Sequence, residues 1–254
     1  MRRYSTQITT LVLVLAIALR LGPPGSTVKA EVPGSSKLTP DQIIAEFRKV
    51  STGNIADAVD ESTGQRGFMT PDMKPIFKSK IVGRAATCLL KPILKTDTRT
   101  YPNLALQILD EADPGSVLVY VLENGRDIAG IGNLMATTAR VRGLEAAVID
   151  GAARDIDEIE AIGFPVFARA ISPATSVGRY VAVAKNVPVT CGGVLVRPGD
   201  YIVGDWTGVV VVPAEKAEEV VSLIREYDAK ESKMVPIIKE TKSMLKAMEK
   251  YNRY

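Results

Sequence analysis

The chain has 254 residues, of which 46% are hydrophobic and 24% charged, enough for one good core or two small ones. It has no histidine, which excludes Ser-His-Asp and Cys-His catalysis, histidine-ligated zinc and any imidazole acid or base. Of its 32 basic residues, Arg2, Arg3, Arg20 and Lys29 lie in the first thirty with no acid; without them 28 basic residues face 29 acidic ones, and no basic cluster with interleaved aromatics remains to bind nucleic acid.

Residues 1 to 30 read as a secretory signal. Arg2 and Arg3 form a basic start, Leu11 to Leu19 is uncharged and apolar, Gly22 to Gly25 ends any helix, and Val28 and Ala30 suit a signal peptidase. The apolar stretch is short of the roughly 20 residues that span a bilayer. The expectation is export, with cleavage near Glu31 and no membrane attachment afterwards. Residues 31 to 38 read as a linker, and residues 39 to 254 as a single catalytic domain with a helical C-terminal extension.

Thr39, Pro40 and Asp41 predict a helix start with an N-cap and a proline at the first position. Ile43, Ile44, Phe47 and Val50 line one face of that helix, and a short second helix covers 51 to 59. Residues 61 to 80 read as loop. A strand follows at 81 to 90, with Gly83 marking a bulge or close packing, then a helix at 102 to 112, a strand at 117 to 122 and a helix at 133 to 142. Ala146 to Ile149 is a buried-strand run that Asp150 and Gly151 should break. Further strands are expected at 165 to 169, 181 to 183, 187 to 189, 193 to 196, 201 to 204 and 208 to 212. Strands alternating with helices argue for α/β layering. From Ala214 the chain reads as helical, with Pro236 interrupting or starting the last helix. Met234, Ile237, Met244 and Met248 give that stretch an apolar face thin enough to suggest packing on another subunit. Cys88 and Cys191 both lie in apolar runs, and their spacing leaves pairing open.

Arg154 and Asp155 stand side by side after the strand at 146, at the mouth of the acidic helical run that ends at Gly163. Sites in α/β proteins form at the carboxyl ends of strands. A guanidinium is a planar fork suited to a carboxylate or enolate oxygen, and a carboxylate is a hard ligand for Mg²⁺ or Mn²⁺. The pair therefore suits a small oxo-acid held between an arginine and a metal. It also reads as a surface ion pair at a helix start, where Asp155, Asp157 and Glu158 favour the macrodipole.

The succession STGNIADAV, IVGRAATC, DPGSVLVY, AGIGNLMATTARVRGLEAAVIDGAARDIDEI, FPVFAR and GGVLVRPGDYIVGDWTGVVVVP resembles the family named for the regulator of ribonuclease E activity A. That family includes divalent-metal 4-hydroxy-4-methyl-2-oxoglutarate aldolases, and the resemblance covers about residues 39 to 240. It implies an αββα sandwich similar to the swivelling phosphohistidine domain, carrying C-terminal helices and assembled as trimers or hexamers with sites at subunit interfaces. It further implies that Asp155 holds the metal, Mg²⁺ or Mn²⁺, largely through waters, and that Arg154 contacts the pyruvyl group. Gly132, Asn133, Leu134 and Met135 would close on the substrate with backbone amides, and Glu158 matches an acidic position of the active members. Asn133 stands where the aldolases often carry Asp, and Asn cannot act as a base. Thr207 replaces another frequent Asp, expected to be structural, and Glu231 stands where a neighbouring subunit's acid reaches the site.

The implied activity is retro-aldol cleavage of 4-hydroxy-2-oxo acids to pyruvate, with oxaloacetate decarboxylation as a side activity. A lysine Schiff base is disfavoured because no lysine flanks the pair. The alternatives are a non-catalytic regulator of the namesake type, against which export argues, and a member acting on another oxo-acid.

Overall fold

A computed structural model of the protein describes residues 37–94 and 96–251. The signal reading of residues 1 to 30 and most of the linker fall outside the described residues. The described chain belongs to one compact unit beginning at Lys37, and no helix in it is long and apolar enough to cross a membrane.

Helix α1 (Pro40–Lys49) starts as its sequence predicts. The Thr39 hydroxyl accepts from the Gln42 amide while the Gln42 side chain accepts from the Thr39 amide, a reciprocal capping box that occupies two of the orphan donors of the first turn. Helix α2 (Thr52–Thr63) is longer than expected because Gly64, at φ 66°, supplies the left-handed cap only there. The segment expected to be loop also holds a two-residue strand, β1 (Lys74–Pro75). Strand β2 (Ile81–Pro92), helix α3 (Leu104–Glu111), strand β3 (Val117–Leu122) and the short strand β4 (Ala129–Ile131) follow. The chain continues through helix α4 (Asn133–Val141), strand β5 (Ala146–Ala153), helix α5 (Ile156–Ala161), strand β6 (Val166–Ile171) and strand β7 (Tyr180–Lys185). The hairpin β8 (Val189–Cys191) and β9 (Val194–Val196), the strands β10 (Tyr201–Gly204) and β11 (Val209–Val212), and the helices α6 (Ala217–Thr241) and α7 (Met244–Tyr251) complete it.

The main sheet runs β1-β6-β5-β3-β2-β10-β11, with β4 joined to β5 and β7 to β2. Strands β2, β3, β5 and β6 are parallel, and β10 and β11 extend the sheet antiparallel. One face packs beneath α3, α4 and α5, where Leu118, Tyr120, Ile149, Ile159 and Phe164 are fully buried. The opposite face gathers residues from β2, β3, β5, β6, β10 and β11 into one cluster closed by the β8-β9 hairpin, so the sheet curls until it is nearly closed. A third cluster packs α1, α2 and α6 on β10 and β11. The fold is mixed α/β with C-terminal helices. Gly83 marks close packing, since a Cβ there would lie 2.3 Å from the Gly115 carbonyl oxygen. Cys88 and Cys191 are both buried and unpaired, and burial pushes the Cys88 thiol up to about 12.

Three expectations are corrected. Asp150 and Gly151 do not end the strand: β5 runs on to Ala153, because β4 and β6 pair with its far end and the two residues appear only as a register shift in the β5·β6 ladder. The Asp150 carboxylate, a strand breaker in isolation, is satisfied by Arg169 at 2.9 Å and by the Gly192 amide at 2.7 Å. Pro236 neither interrupts nor starts a helix but lies inside the 25-residue α6. It is exposed, where water can satisfy the Ser232 carbonyl that loses its donor, and buried Met234 and the contact with α7 hold the helix on either side. The strand expected at 187 to 189 lies instead at Val189–Cys191, the residues that pair with Val194–Val196 across the hairpin.

Candidate active site

Strands β4 and β5 end side by side and deliver the two halves of the site. Gly132 follows β4 and caps α4, while Arg154 and Asp155 follow β5 and open α5. The Arg154 amide donates to the Ile131 carbonyl at 3.2 Å, which ties the two crossings together. Asp155 is left-handed (φ 57°, ψ 46°), a conformation that Asp tolerates better than most residues because its short side chain can hydrogen-bond locally.

That backbone setting turns the Asp155 carboxylate toward the start of α4, where Oδ2 accepts from the Asn133 amide at 3.0 Å. An orphan donor of a helix N-terminus is thereby satisfied by a negative charge, which the helix dipole also favours. Arg154 Nε lies 3.6 Å from the same oxygen, an ion pair looser than a hydrogen bond, and the two side chains are 41% and 37% exposed. Solvent screening at that exposure makes the pair a minor contributor to stability, so its placement has to be explained by something else. Gly132 allows it: a Cβ there would meet Asp155 Oδ2 at 2.7 Å and Arg154 Nε at 2.9 Å.

Arg154 and Asp155 line a cleft of about 340 Å³ with Gly132, Leu134 and Met135. The structure thus brings together five of the six residues expected to hold metal or substrate. The sixth, Asn133, contributes through its main chain, and its side-chain oxygen accepts from Thr137 at 3.0 Å rather than lining the cleft. Its amide, expected to meet substrate, is already given to Asp155. Glu158 is exposed on α5. Glu231 lies apart from the cleft of its own chain, where it accepts from Asn54 at 3.2 Å and lines a second cavity with Met234 and Ile238. Thr207 is structural: its amide donates to Asp205, which also accepts from the amide and hydroxyl of Thr52 and so caps α2 against the turn.

Sequence reading missed part of the wall. Thr175, Ser176 and Val177 line the cleft from the loop after β6, which is held to β4 by the Ala129 amide donating to Ala174 at 2.8 Å. A Ser, Pro and Thr-rich stretch after a strand was the available signal. Asn103 and Leu106, from the start of α3, carry no signal in spacing at all.

Among the described residues no group of three or more His, Cys, Asp or Glu gathers to hold a metal. The cleft nevertheless suits Mg²⁺ or Mn²⁺: a small hard cation keeps several waters and is held by one or two carboxylates together with substrate oxygens. Both partners of the Asp155 carboxylate, the Asn133 amide and Arg154, meet Oδ2, which leaves Oδ1 as an oxygen donor.

The chain is similar to known proteins. The RraA-like (Aldolase/RraA) family model matches residues 52–211. A Halalkalibacterium halodurans protein named "Putative 4-hydroxy-4-methyl-2-oxoglutarate aldolase" is 35% identical over 192 residues, spanning 73% of this chain and 83% of its own. An uncharacterized Methanocaldococcus jannaschii protein is 40% identical over 165 residues, 64% of this chain and 76% of its own. Among solved structures, RraAS2 of Streptomyces coelicolor, described as an unusual member of the RNase ES inhibitor RraA protein family, superposes with a TM-score of 0.68 at 28% identity. That match covers 78% of this chain and 96% of the other. With the family model spanning both halves of the cleft, from α2 through the Arg154-Asp155 turn to β11, the chain belongs to the RraA-like family.

Proposed function

We propose that this cleft cleaves 4-hydroxy-2-oxo acids to pyruvate in a divalent-metal-dependent retro-aldol reaction, with oxaloacetate decarboxylation as a side activity. The observation that carries the reading is the Arg154 guanidinium set beside the Asp155 carboxylate in a cleft at the ends of parallel strands; the names of the relatives point the same way.

Arg154 binds the oxo-acid, and its fork is suited to the oxygen on which charge develops. Asp155, oriented by the Asn133 amide, would hold the metal, which when bound supplies Lewis-acid polarisation of the 2-oxo group. As the C3–C4 bond breaks, its electron pair passes to C3 and the 2-oxo oxygen, and Arg154 stabilises the resulting enolate. The 4-hydroxyl proton leaves to water, since among the described lining residues Asp155 is the one carboxylate and there is no imidazole. C3 then takes a proton, giving pyruvate. We further propose that residues 1 to 30 direct export, that residues 39 to 254 form one catalytic domain of αββα layering, and that it assembles as a trimer or hexamer. The exposure of Leu134 and Val177 at the cleft, at 83% and 79%, and of Val141 at the far end of α4, at 82%, supports the assembly.

The test is pyruvate release from oxaloacetate and from 4-hydroxy-4-methyl-2-oxoglutarate, with and without Mg²⁺. Asp155→Ala should abolish turnover together with its metal dependence, and Arg154→Ala should cost about two orders of magnitude. Turnover persisting in excess EDTA, with inactivation by borohydride in the presence of substrate, would show a lysine Schiff base and overturn the mechanism.

A further inference from the structure

A second cation stands at the rim of the cleft. Thr175, Ser176 and Val177 line the cleft from the loop between β6 and β7. Arg179, two residues further on, reaches back so that its Nη1 donates to the Thr175 carbonyl at 3.0 Å. Its guanidinium therefore rests against the backbone of a lining residue. Arg179 is exposed and forms no ion pair among the described residues, whereas Lys91 pairs with Glu123 at 3.3 Å and Arg126 with Asp72 at 2.9 Å. One bond to a carbonyl leaves most of the five-donor fork unused.

The loop that carries Arg179 is tied down on both sides. The Arg179 amide donates to the Ser176 carbonyl at 2.9 Å, the Ile93 amide just past β2 donates to the Arg179 carbonyl at 2.9 Å, and the Ala129 amide of β4 donates to the Ala174 carbonyl at 2.8 Å. Ala129 pairs with Ala152 of β5 on one flank and with Thr175 on the other. Arg154 and Arg179 thus come from opposite flanks of β4, whose two neighbours lie about 10 Å apart at the usual strand spacing. A five-carbon diacid has about 5 Å between its carboxylate carbons, and each charge-assisted hydrogen bond adds about 2.8 Å, which matches that gap. Resting on the aldolase reading above, we infer that Arg179 is a specificity-determining residue, which receives the second carboxylate of a dicarboxylic oxo-acid whose first carboxylate and 2-oxo group lie at Arg154 and Asp155. Solvent at this exposed position holds the gain to a modest factor. Arg179 is held by its own chain, so residues that a neighbouring subunit brings to the cleft add to this contact without being needed for it.

Two unreactive acids of equal chain length read the contact apart from the reaction. Calorimetric titration of the full-length protein in Mg²⁺ with 2-oxoglutarate and with 2-oxopentanoate, neither of which has a 4-hydroxyl to cleave, should show the dicarboxylate binding about fivefold more tightly or better. Arg179→Gln should lower the affinity for 2-oxoglutarate by about the same factor and that for 2-oxopentanoate by about twofold at most. Equal affinities in the unmodified protein, an equal fall for both acids in Arg179→Gln, a preference that survives the substitution, or binding of neither acid each overturn the inference. An Arg179-dependent preference without pyruvate release from any 4-hydroxy-2-oxo acid supports this assignment and sinks the aldolase reading. Cleavage of 4-hydroxy-4-methyl-2-oxoglutarate with kcat/KM unchanged in Arg179→Gln does the reverse.

Discussion

Gly132→Ala places one methyl group inside the proposed catalytic pair and tests whether that geometry matters. The backbone at Gly132 is extended (φ −142°, ψ −176°), so alanine meets no conformational penalty there. The added Cβ would lie 2.7 Å from Asp155 Oδ2, 2.9 Å from Arg154 Nε and 3.1 Å from Arg154 Cγ. Ordinary van der Waals contact needs about 3.5 Å or more, so both side chains must retreat by roughly half an ångström or more. Misplacement of about 1 Å can cost 10²-fold in rate, and the expected loss in kcat/KM is about tenfold to a hundredfold. The retreat also weakens the Asn133–Asp155 hydrogen bond, worth about 1 kcal/mol at most in this half-exposed setting. For a chain of this size that lowers Tm by no more than about 4 °C. Steady-state pyruvate release and a thermal melt on the same preparation read both quantities. Wild-type turnover in a folded Gly132→Ala protein would refute the assignment of the pair, and a collapse of the melt would show that the glycine serves the fold instead.

Asn133 acts through its amide, which every residue but proline supplies, and its side chain bonds only Thr137 among the described residues; Asn133→Ala should therefore hold turnover within about threefold, and a hundredfold loss would place the side chain in the chemistry. Arg169 joins Asp72 at 3.0 Å and Asp150 at 2.9 Å with a quarter of its side chain exposed. Arg169→Leu takes one partner from each of two carboxylates, leaving Asp72 with Arg126 and Asp150 with the Gly192 amide, and should cost about 1–3 kcal/mol by chemical denaturation, while an unchanged midpoint would show that Arg169 contributes nothing. Hydrogen bonds from Arg225 and then Lys49 hold Glu46 at about 2, against an ordinary value of 4.5. A depressed carboxylate stabilises fully above its unfolded pKa and loses that contribution as pH falls, so the unfolding midpoint should drop between pH 4.5 and 2 by more in the native protein than in Glu46→Gln. Identical acid profiles would sink that assignment.

The elements with strong local signals were legible without coordinates. Thr39 and Gln42 carry both halves of a capping box within four residues, and the β3 run VLVYVL is buried at all six positions, as an unbroken apolar stretch in a parallel sheet should be. The Arg154-Asp155 pair stood out in the sequence because two adjacent charges follow a buried strand, though the same two residues also read as a surface ion pair at a helix start. The tertiary fold decided everything that depends on a distant partner. Asp150 and Gly151 look like strand breakers until β4, β6 and Arg169 surround them. The role of the Asn133 amide exists only because β4 and β5 end side by side, which brings it to Asp155 across 22 positions. Leu106, 48 residues before Arg154, faces the same cleft because α3 packs over β2 while β5 lies two strands away. Spacing along a chain records helix and strand periods, which are local, whereas a cleft wall is set by which strands become neighbours in the sheet.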